Sequence, residues 1–295
     1  KKARGEAASI LHGFLVRLQN VRILDPACGS GNFLYVALLR LKDLEKEAIL
    51  YGNDNGLGSF LPLCGPWQLY GLEINPYAHD LAQMTVWIGW LQWIRVNGFG
   101  FPAEPILRPL AQNIRLMDAI LGAPSACSAS ESRPPESHFQ SLEKCQEKFP
   151  IIGKPNENVS NDWKNPPESF QSLEKSNMTA APPSEPEWPS VDFIIGNPPF
   201  LGGSKLWAEL GRDYQERLWQ LYKGRVPGAA DLCCYWFEKA RAHIVTGKCK
   251  RAGLLATQAI RGGANREVLK RIKESGDIFW AESDRDWILD GANVH

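Results

Sequence analysis

Three groups of residues stand where chemistry could be done. The first is the run Asp25-Pro26-Ala27-Cys28-Gly29-Ser30-Gly31-Asn32-Phe33, a glycine-containing turn between two apolar stretches. Gly29 and Gly31 permit φ angles and a close backbone approach that a Cβ would block. The free N–H groups at the start of a following helix suit the anionic end of a ligand. Such a turn can hold a dinucleotide or merely turn the chain, and Leu34 stands where the third glycine of the dinucleotide fingerprint belongs. The second is Glu73, an acid closing Gln68-Leu-Tyr-Gly-Leu-Glu73, which could accept hydrogen bonds from both hydroxyls of a ribose. Alone it reads as an ordinary loop acid; together with the glycine turn it favours a nucleoside ligand. The third is Asn197-Pro198-Pro199-Phe200, directly after Ile194-Ile-Gly196. Two consecutive prolines fix the backbone there, although Asn-Pro-Pro can also be a plain turn after a strand.

A frame that could position these groups is legible in the flanking periodicity. Val21–Asp25, Gln68–Glu73, Asn113–Asp118, Val191–Gly196 and Ala252–Thr257 read as short strands, with a sixth at Ile278–Glu282. Between them, Asn32–Ala48 is predicted helical, with Phe33, Leu34, Ala37, Leu38, Leu41 and Leu44 on one side. Ala78–Val96 is predicted to be a helix apolar on almost every side, and Asn265–Ser275 another helix. Trp87, Trp90 and Trp93 recur on that apolar helix, a pattern of core packing rather than of nucleobase stacking. Strands alternating with helices imply an α/β fold with a doubly wound, mostly parallel sheet. Ligands bind such sheets at the carboxyl ends of the strands, where Asp25, Glu73, Asp118 and Asn197 all fall.

Residues 1–120 and 191–295 carry this alternation; residues 121–190 do not. That middle part holds 11 of the 21 prolines and a near-copy, in which Pro134-Pro-Glu-Ser-His-Phe-Gln-Ser-Leu-Glu-Lys144 recurs as Pro166-Pro-Glu-Ser-Phe-Gln-Ser-Leu-Glu-Lys175. Its composition cannot bury enough apolar surface to offset the entropy of ordering, so a disordered insertion is expected. The chain carries no net formal charge, which neither favours nor excludes nucleic acid. Between Leu201 and Ser275, however, 15 Lys and Arg face 7 Asp and Glu, a local balance of +8 that could serve a phosphate backbone or be a solvated helix face. The seven cysteines show no metal-ligand spacing and no disulfide framework. Met84–Ile94, the most apolar stretch, is too short to span a bilayer, and no signal peptide is read at Lys1-Lys-Ala-Arg4. The expectation is a cytoplasmic protein with reduced thiols, no metal and no membrane association.

The motifs resemble a known family. Leu24–Leu34 looks like motif I of class I methyltransferases that modify DNA amino groups, and Gly71-Leu-Glu-Ile-Asn-Pro76 like their motif II. Asp118, in Leu116-Met-Asp-Ala-Ile120, resembles the motif III acid that lies near the cofactor's adenine, and Asp192–Phe200 resembles motif IV. The resemblance implies a Rossmann-like domain of the class I type, with S-adenosylmethionine as methyl donor. Asp25, Pro26, Ala27, Gly29, Gly31, Asn32, Phe33, Glu73 and Asp118 would bind the cofactor, so that 1–120 is the cofactor-binding half. Cys28 would only pack in the loop. The half at 191–295 would be catalytic, through Asn197, Pro198, Pro199 and Phe200. An exocyclic amino nitrogen is a poor nucleophile because its lone pair is delocalised. The Asn197 side-chain oxygen and the Pro198 carbonyl would accept its two hydrogens and free that lone pair. Phe200 would stack on the base, an adenine flipped out of double-stranded DNA. Transfer would be direct, through positioning and electrostatics. Protein glutamine methyltransferases share the Asn-Pro-Pro motif, and cytosine-N4 enzymes more often begin it with Ser; Asn197 and motif I together favour adenine N6.

The resemblance extends to the methyltransferase region of fused type IIG restriction–modification enzymes. It rests on Asn197–Gly203, Ala230-Asp-Leu-Cys-Cys-Tyr-Trp-Phe-Glu-Lys239, Arg261-Gly-Gly-Ala-Asn-Arg-Glu-Val-Leu-Lys270 and Trp287-Ile-Leu-Asp-Gly-Ala292. Gln258 stands where that group is expected to carry Asn. Lys205 could meet a phosphate, and Arg261 is expected either on the DNA side or in an exposed salt bridge; the run Arg261-Gly-Gly-Ala-Asn265 is expected to cap the helix that follows it. Those enzymes place a nuclease before the methyltransferase and a target-recognition domain after it, and this chain has room for neither. Their last two strands form an antiparallel pair, and His295 falls about where the final one should begin, so a sheet without its last strand is expected. A catalytically inactive cofactor-binding fragment is the alternative that this truncation suggests.

Overall fold

A computed structural model describes residues 2–98, 110, 112–122, 182–283, 287–289 and 292–294, the last two stretches by their backbone only. Chain contacts divide the molecule into two units, Lys1–Ala123 with Pro183–His295, and Pro124–Pro182. Apart from Pro182, the described residues belong to the first, and most of the expected insertion at 121–190 lies outside them.

The first unit is built on five parallel strands in the order β3-β2-β1-β4-β5. These are β1 Ile23–Asp25, β2 Leu69–Glu73, β3 Ile114–Leu116, β4 Phe193–Gly196 and β5 Arg251–Leu254. Among the described residues seven α-helices accompany them: α1 Lys2–Gln19, α2 Asn32–Asp54, α3 Pro76–Val96, α4 Leu206–Leu210, α5 Arg212–Leu221, α6 Cys233–Val245 and α7 Arg266–Ser275. The architecture is the Rossmann-like, mostly parallel α/β fold expected. No helix among the described residues is long and apolar enough to cross a membrane.

Strand side chains alternate between two cores, as the two-residue period of a strand requires. Ile23, Leu69, Phe193 and Ile195 face the side carrying α1, α2 and α3. Leu24, Leu72 and Ile194 face the side carrying α5, α6 and α7. Each fully buried Leu or Ile contributes about 1.5–3 kcal/mol, so a one-residue slip would exchange both sets at once. The register brings Asp25 opposite Gly71, Glu73 opposite Leu116, and Gly196 opposite Leu254. The carboxyl ends of the strands are thereby aligned along one edge.

Several details depart from the sequence expectation. The helix expected over Asn32–Ala48 runs on to Asp54 and buries Leu34, Leu38, Leu41, Lys42, Glu45 and Ile49, while Phe33 and Leu44 are 37% and 43% exposed. Two charges enter the buried stripe because they satisfy each other: Lys42 Nζ lies 2.7 Å from Glu45 Oε2, and Glu45 Oε1 accepts Cys64 N at 2.7 Å. The tryptophans of α3 pack in the core, with Trp87 and Trp90 edge to face at 5.4 Å. Ile278–Glu282 is not a strand; Phe279 and Trp280 are 69% and 71% exposed, so no burial fixes an extended pairing there. The antiparallel pair instead comprises β6 Trp287–Leu289 and β7 Ala292–Val294. It forms a separate two-stranded sheet. Residues 184–190, read as insertion from the sequence, are part of the first unit, with Trp188 buried and donating from Nε1 to Ala119 O at 2.8 Å.

Candidate active site

Four of the loops that leave the carboxyl edge of the sheet carry the residues singled out in the sequence. The loop after β1 is held from both sides. Cys28 N donates to Leu72 O at 3.1 Å, and Gly29 N donates to Glu73 Oε2 at 2.8 Å. From the opposite face Trp236 Nε1 of α6 donates to Pro26 O at 2.9 Å. Gly31 has φ +86°, and a Cβ there would lie 3.0 Å from Ala82 Cα, so glycine alone permits α2 to start against α3. Gly29 has φ +51° with open space where a Cβ would stand. Asn32 and Phe33 open α2 on its exposed side. Cys28 is buried against Gly71, and burial together with Asp25 and Glu73 pushes its thiol far above the ordinary range. It is a packing residue, as expected, since the thiolate that reactivity needs is disfavoured there.

Asp25 is buried, accepts Ala27 N at 3.0 Å through Oδ1, and points at the end of β4. A Cβ on Gly196 would come within 2.7 Å of that oxygen, so glycine before Asn197 lets the first loop touch the fourth. Burial, reinforced by Glu73 and opposed by the Ala27 hydrogen bond, raises the Asp25 carboxyl to about 7. Glu73 is doubly engaged, since its Oε1 also accepts Ile74 N and Asn75 N at 3.0 and 2.8 Å. The sequence reading gave this acid only to a ligand; in the fold it also clamps the loop.

Asn197-Pro198-Pro199-Phe200 follows β4. Pro198 is buried, Asn197 and Pro199 are exposed, and Phe200 is 48% exposed. The chain then turns through Gly203–Lys205 into α4. This turn is fastened by Asp231, whose Oδ1 accepts Gly203 N at 3.1 Å. Asn265 completes the fastening: its Oδ1 accepts Asp231 N at 2.7 Å, and its Nδ2 donates to Asp231 Oδ2 at 2.7 Å and Ala259 O at 3.1 Å. Asn265 stands at the N-cap position of α7 but makes no capping hydrogen bond, because its amide is turned inward to Asp231. Lys205 and Arg261, both exposed, thus lie on two turns that Asp231 and Asn265 tie together.

Asp118 follows β3. Its Oδ1 accepts Ile120 N at 2.8 Å and Leu121 N at 3.1 Å, and its Oδ2 accepts the Tyr214 hydroxyl at 2.8 Å. Tyr214, Asp231 and Asn265 had no place in the sequence-level site. Only Asp231 and Asn265 lie in segments that carried the family resemblance. Among the described residues no group of three or more His, Cys, Asp or Glu could hold a metal ion.

A glycine turn clamped by the acid of β2, an acid after β3 and an Asn-Pro-Pro-Phe loop after β4, on this strand order, define a Rossmann-like methyltransferase domain. The family model of Eco57I restriction-modification methylases matches residues 67–249, and that of the MmeI DNA-methyltransferase domain matches residues 1–114. The chain belongs to the Eco57I restriction-modification methylase family, whose model covers more than half of it, and is a methyltransferase region of the type IIG kind. It is 39% identical over 80 residues to DNA methyltransferase A of Bacillus subtilis (strain 168), covering 26% of this chain and 9% of that protein. It is 31% identical over 119 residues to a type II restriction enzyme and methyltransferase of Methanocaldococcus jannaschii, covering 40% of this chain and 10% of the relative. The matches thus span about a tenth of these curated relatives. The solved structure of the type IIL restriction-modification enzyme MmeI in complex with DNA superposes with a TM-score of 0.51 at 21% identity, covering 93% of this chain and 29% of that one. At that identity the likeness concerns the fold.

Proposed function

We propose that this chain transfers a methyl group from S-adenosylmethionine to the N6 amino group of adenine in DNA, as part of a restriction–modification system. The observation that carries the reading is the contact between the first and fourth loops: Asp25 of the glycine turn lies against Gly196, the residue before Asn197. The groups assigned to the cofactor and to the target are therefore neighbours on one edge of the sheet.

The residues present fit the cofactor. Gly29 leaves open space for a close approach, the start of α2 offers N–H groups to a carboxylate, and Glu73 keeps one acceptor position, on Oε2, for a ribose hydroxyl beyond the three N–H groups it already accepts. Asp25, Pro26, Ala27, Gly29, Gly31, Asn32, Phe33, Glu73 and Asp118 would hold it. When bound, S-adenosylmethionine supplies an electrophilic methyl group on a sulfonium. Asn197 Oδ1 and the Pro198 carbonyl would accept the two amino hydrogens of the target and pyramidalise its nitrogen. Pro199 holds the turn, and Phe200, half-exposed, offers an aromatic face to a flipped base. Double-stranded DNA is the partner, with Lys205 and Arg261 toward its phosphates. A nuclease region and a target-recognition domain would be further partners under this reading.

Transfer of labelled methyl to duplex DNA, followed by nucleoside analysis, tests the reading. The expected product is N6-methyladenine, and Asn197→Ala should lower its formation about 10²–10³-fold while S-adenosylhomocysteine still binds. Label in cytosine would overturn the base assignment, label in protein extract would favour a glutamine substrate, and binding without transfer would mark a cofactor-binding fragment.

A further inference from the structure

The acceptor count at Asp118 carries a further step, which rests on the proposed cofactor. A carboxylate has about four lone-pair positions. Oδ1 spends two on the backbone of Ile120 and Leu121, and Oδ2 spends one on the Tyr214 hydroxyl. One position on Oδ2 remains. Three hydrogen bonds hold the donor in place, because α5 and the turn after it dock on the loop that Asp118 opens. Besides Tyr214, Arg217 donates to Gly122 O at 3.1 Å and Tyr222 to Ile120 O at 3.1 Å. Leu218, between them, is fully buried in the core. The carboxylate can therefore neither rotate nor exchange its partners freely.

We infer that Tyr214 is a positioning residue for cofactor specificity: it fixes the Asp118 carboxylate so that its one remaining acceptor position selects a purine 6-amino group over a 6-oxo group. An amino group brings one N–H to that position. A 6-oxo group brings lone pairs against lone pairs, and an acceptor facing an acceptor is left unsatisfied. Burial and the adjacent Asp118 carboxylate hold the Tyr214 hydroxyl far above the ordinary phenol range. It stays a protonated donor, and the direction of its bond to Asp118 is fixed. Sites built to hydrogen-bond a ligand group reject the analogue lacking it far more strongly than apolar pockets reject a missing methylene.

The test is calorimetric binding of S-adenosylhomocysteine and of its 6-oxo counterpart, S-inosylhomocysteine, to the 295-residue chain and to Tyr214→Phe. The wild type should prefer the 6-amino ligand by roughly 100-fold. The variant, which keeps the ring and loses the hydroxyl, should lower that ratio to about 10-fold or less, because the carboxylate can then turn away from the ligand and no longer faces the 6-position with a fixed acceptor. A merely structural role would weaken both ligands together and leave the ratio unchanged, and that result overturns the inference. Wild-type binding to neither ligand overturns the cofactor reading and the inference with it, so the two failures are told apart by the wild type alone. If Tyr214→Phe does not fold, Asp118→Asn takes its place: Oδ1 still accepts the two backbone N–H groups, while Nδ2 offers hydrogens to the Tyr214 oxygen and to the ligand. Preference for the 6-oxo ligand is then expected, and retained preference for the 6-amino ligand refutes the geometry.

Discussion

At the scale of single residues, the acids of this site are occupied by the fold before they meet any ligand. Glu73 accepts three backbone N–H groups, and Asp118 accepts two with a tyrosine hydroxyl. Asp25 accepts only Ala27 N among the described residues and lies buried beside Gly196. Burial raises its carboxyl from the ordinary 3.8 to about 7, so the fold favours the protonated form. Between those values the folded chain holds more protons than the unfolded one, and the stability that Asp25 contributes is lost as pH rises from about 4 through 7. Asp25→Asn keeps the oxygen that Ala27 N reaches and cannot ionise. Its melting temperature should match the wild type near pH 4, rise progressively above it to about pH 7, and hold a constant lead thereafter. A shift of this size corresponds to a lead on the order of 4 kcal/mol. Parallel melting curves of the two proteins from pH 4 to 8 check this, and a pH-independent difference would show that Asp25 is ionised at little cost in the fold. The residue types at these positions were legible in the sequence because turn chemistry and strand ends are local signals. Their internal partners were not, since Glu73 and Gly29 are 44 residues apart and only the strand order brings them together.

At the scale of elements, the same distinction holds more sharply. The strands of the sheet and the helices between them were legible from periodicity, because each buries one stripe or alternates across the sheet. The sixth strand was misread because Ile278-Phe-Trp280 has the apolar content of a strand without a surface to cover it. Asn265 was read as a helix cap from its position, yet its amide serves Asp231, 34 residues away. Such a bracket is invisible to local pattern and holds two turns at once: Gly203–Lys205 through Asp231, and Gln258–Arg261 through Ala259 O. Asn265 is buried, and its removal strands the Asp231 N–H and takes a donor from the Asp231 carboxylate. Asn265→Ala should therefore cost about 2–4 kcal/mol in urea unfolding. In a double-mutant cycle with Asp231→Ala the coupling should fall at roughly 1–3 kcal/mol. Additive losses would mean that the two side chains stabilise their turns independently and that no bracket exists.

At the scale of the whole molecule, a chain of zero formal net charge has no general attraction for a polyanion, so any affinity for DNA must come from how its charge is arranged. The +8 balance of residues 201–275 is partly consumed within the fold. Arg241 and Arg271 bond the buried Glu238, and Arg225 and Lys239 pair with Glu185. Such cations stabilise helix packing and cannot neutralise phosphates, which is why the sequence balance overstated what a backbone could meet. Lys205 and Arg261 lie exposed on the two bracketed turns, the first of which follows Asn197-Pro-Pro-Phe200 in the chain. Under the proposed function each contacts a phosphate, and each contact displaces about one condensed counterion. Lys205→Ala and Arg261→Ala should each lower the slope of log affinity against log salt by about 1 in magnitude, and the double variant by about 2. The loss should be the same for duplexes of unrelated sequence, because phosphate contacts carry position and not base identity. Fluorescence anisotropy of labelled duplexes across a salt series measures both quantities. An unchanged slope would remove these two residues from the DNA side, and a sequence-dependent loss would assign them to bases rather than to phosphates.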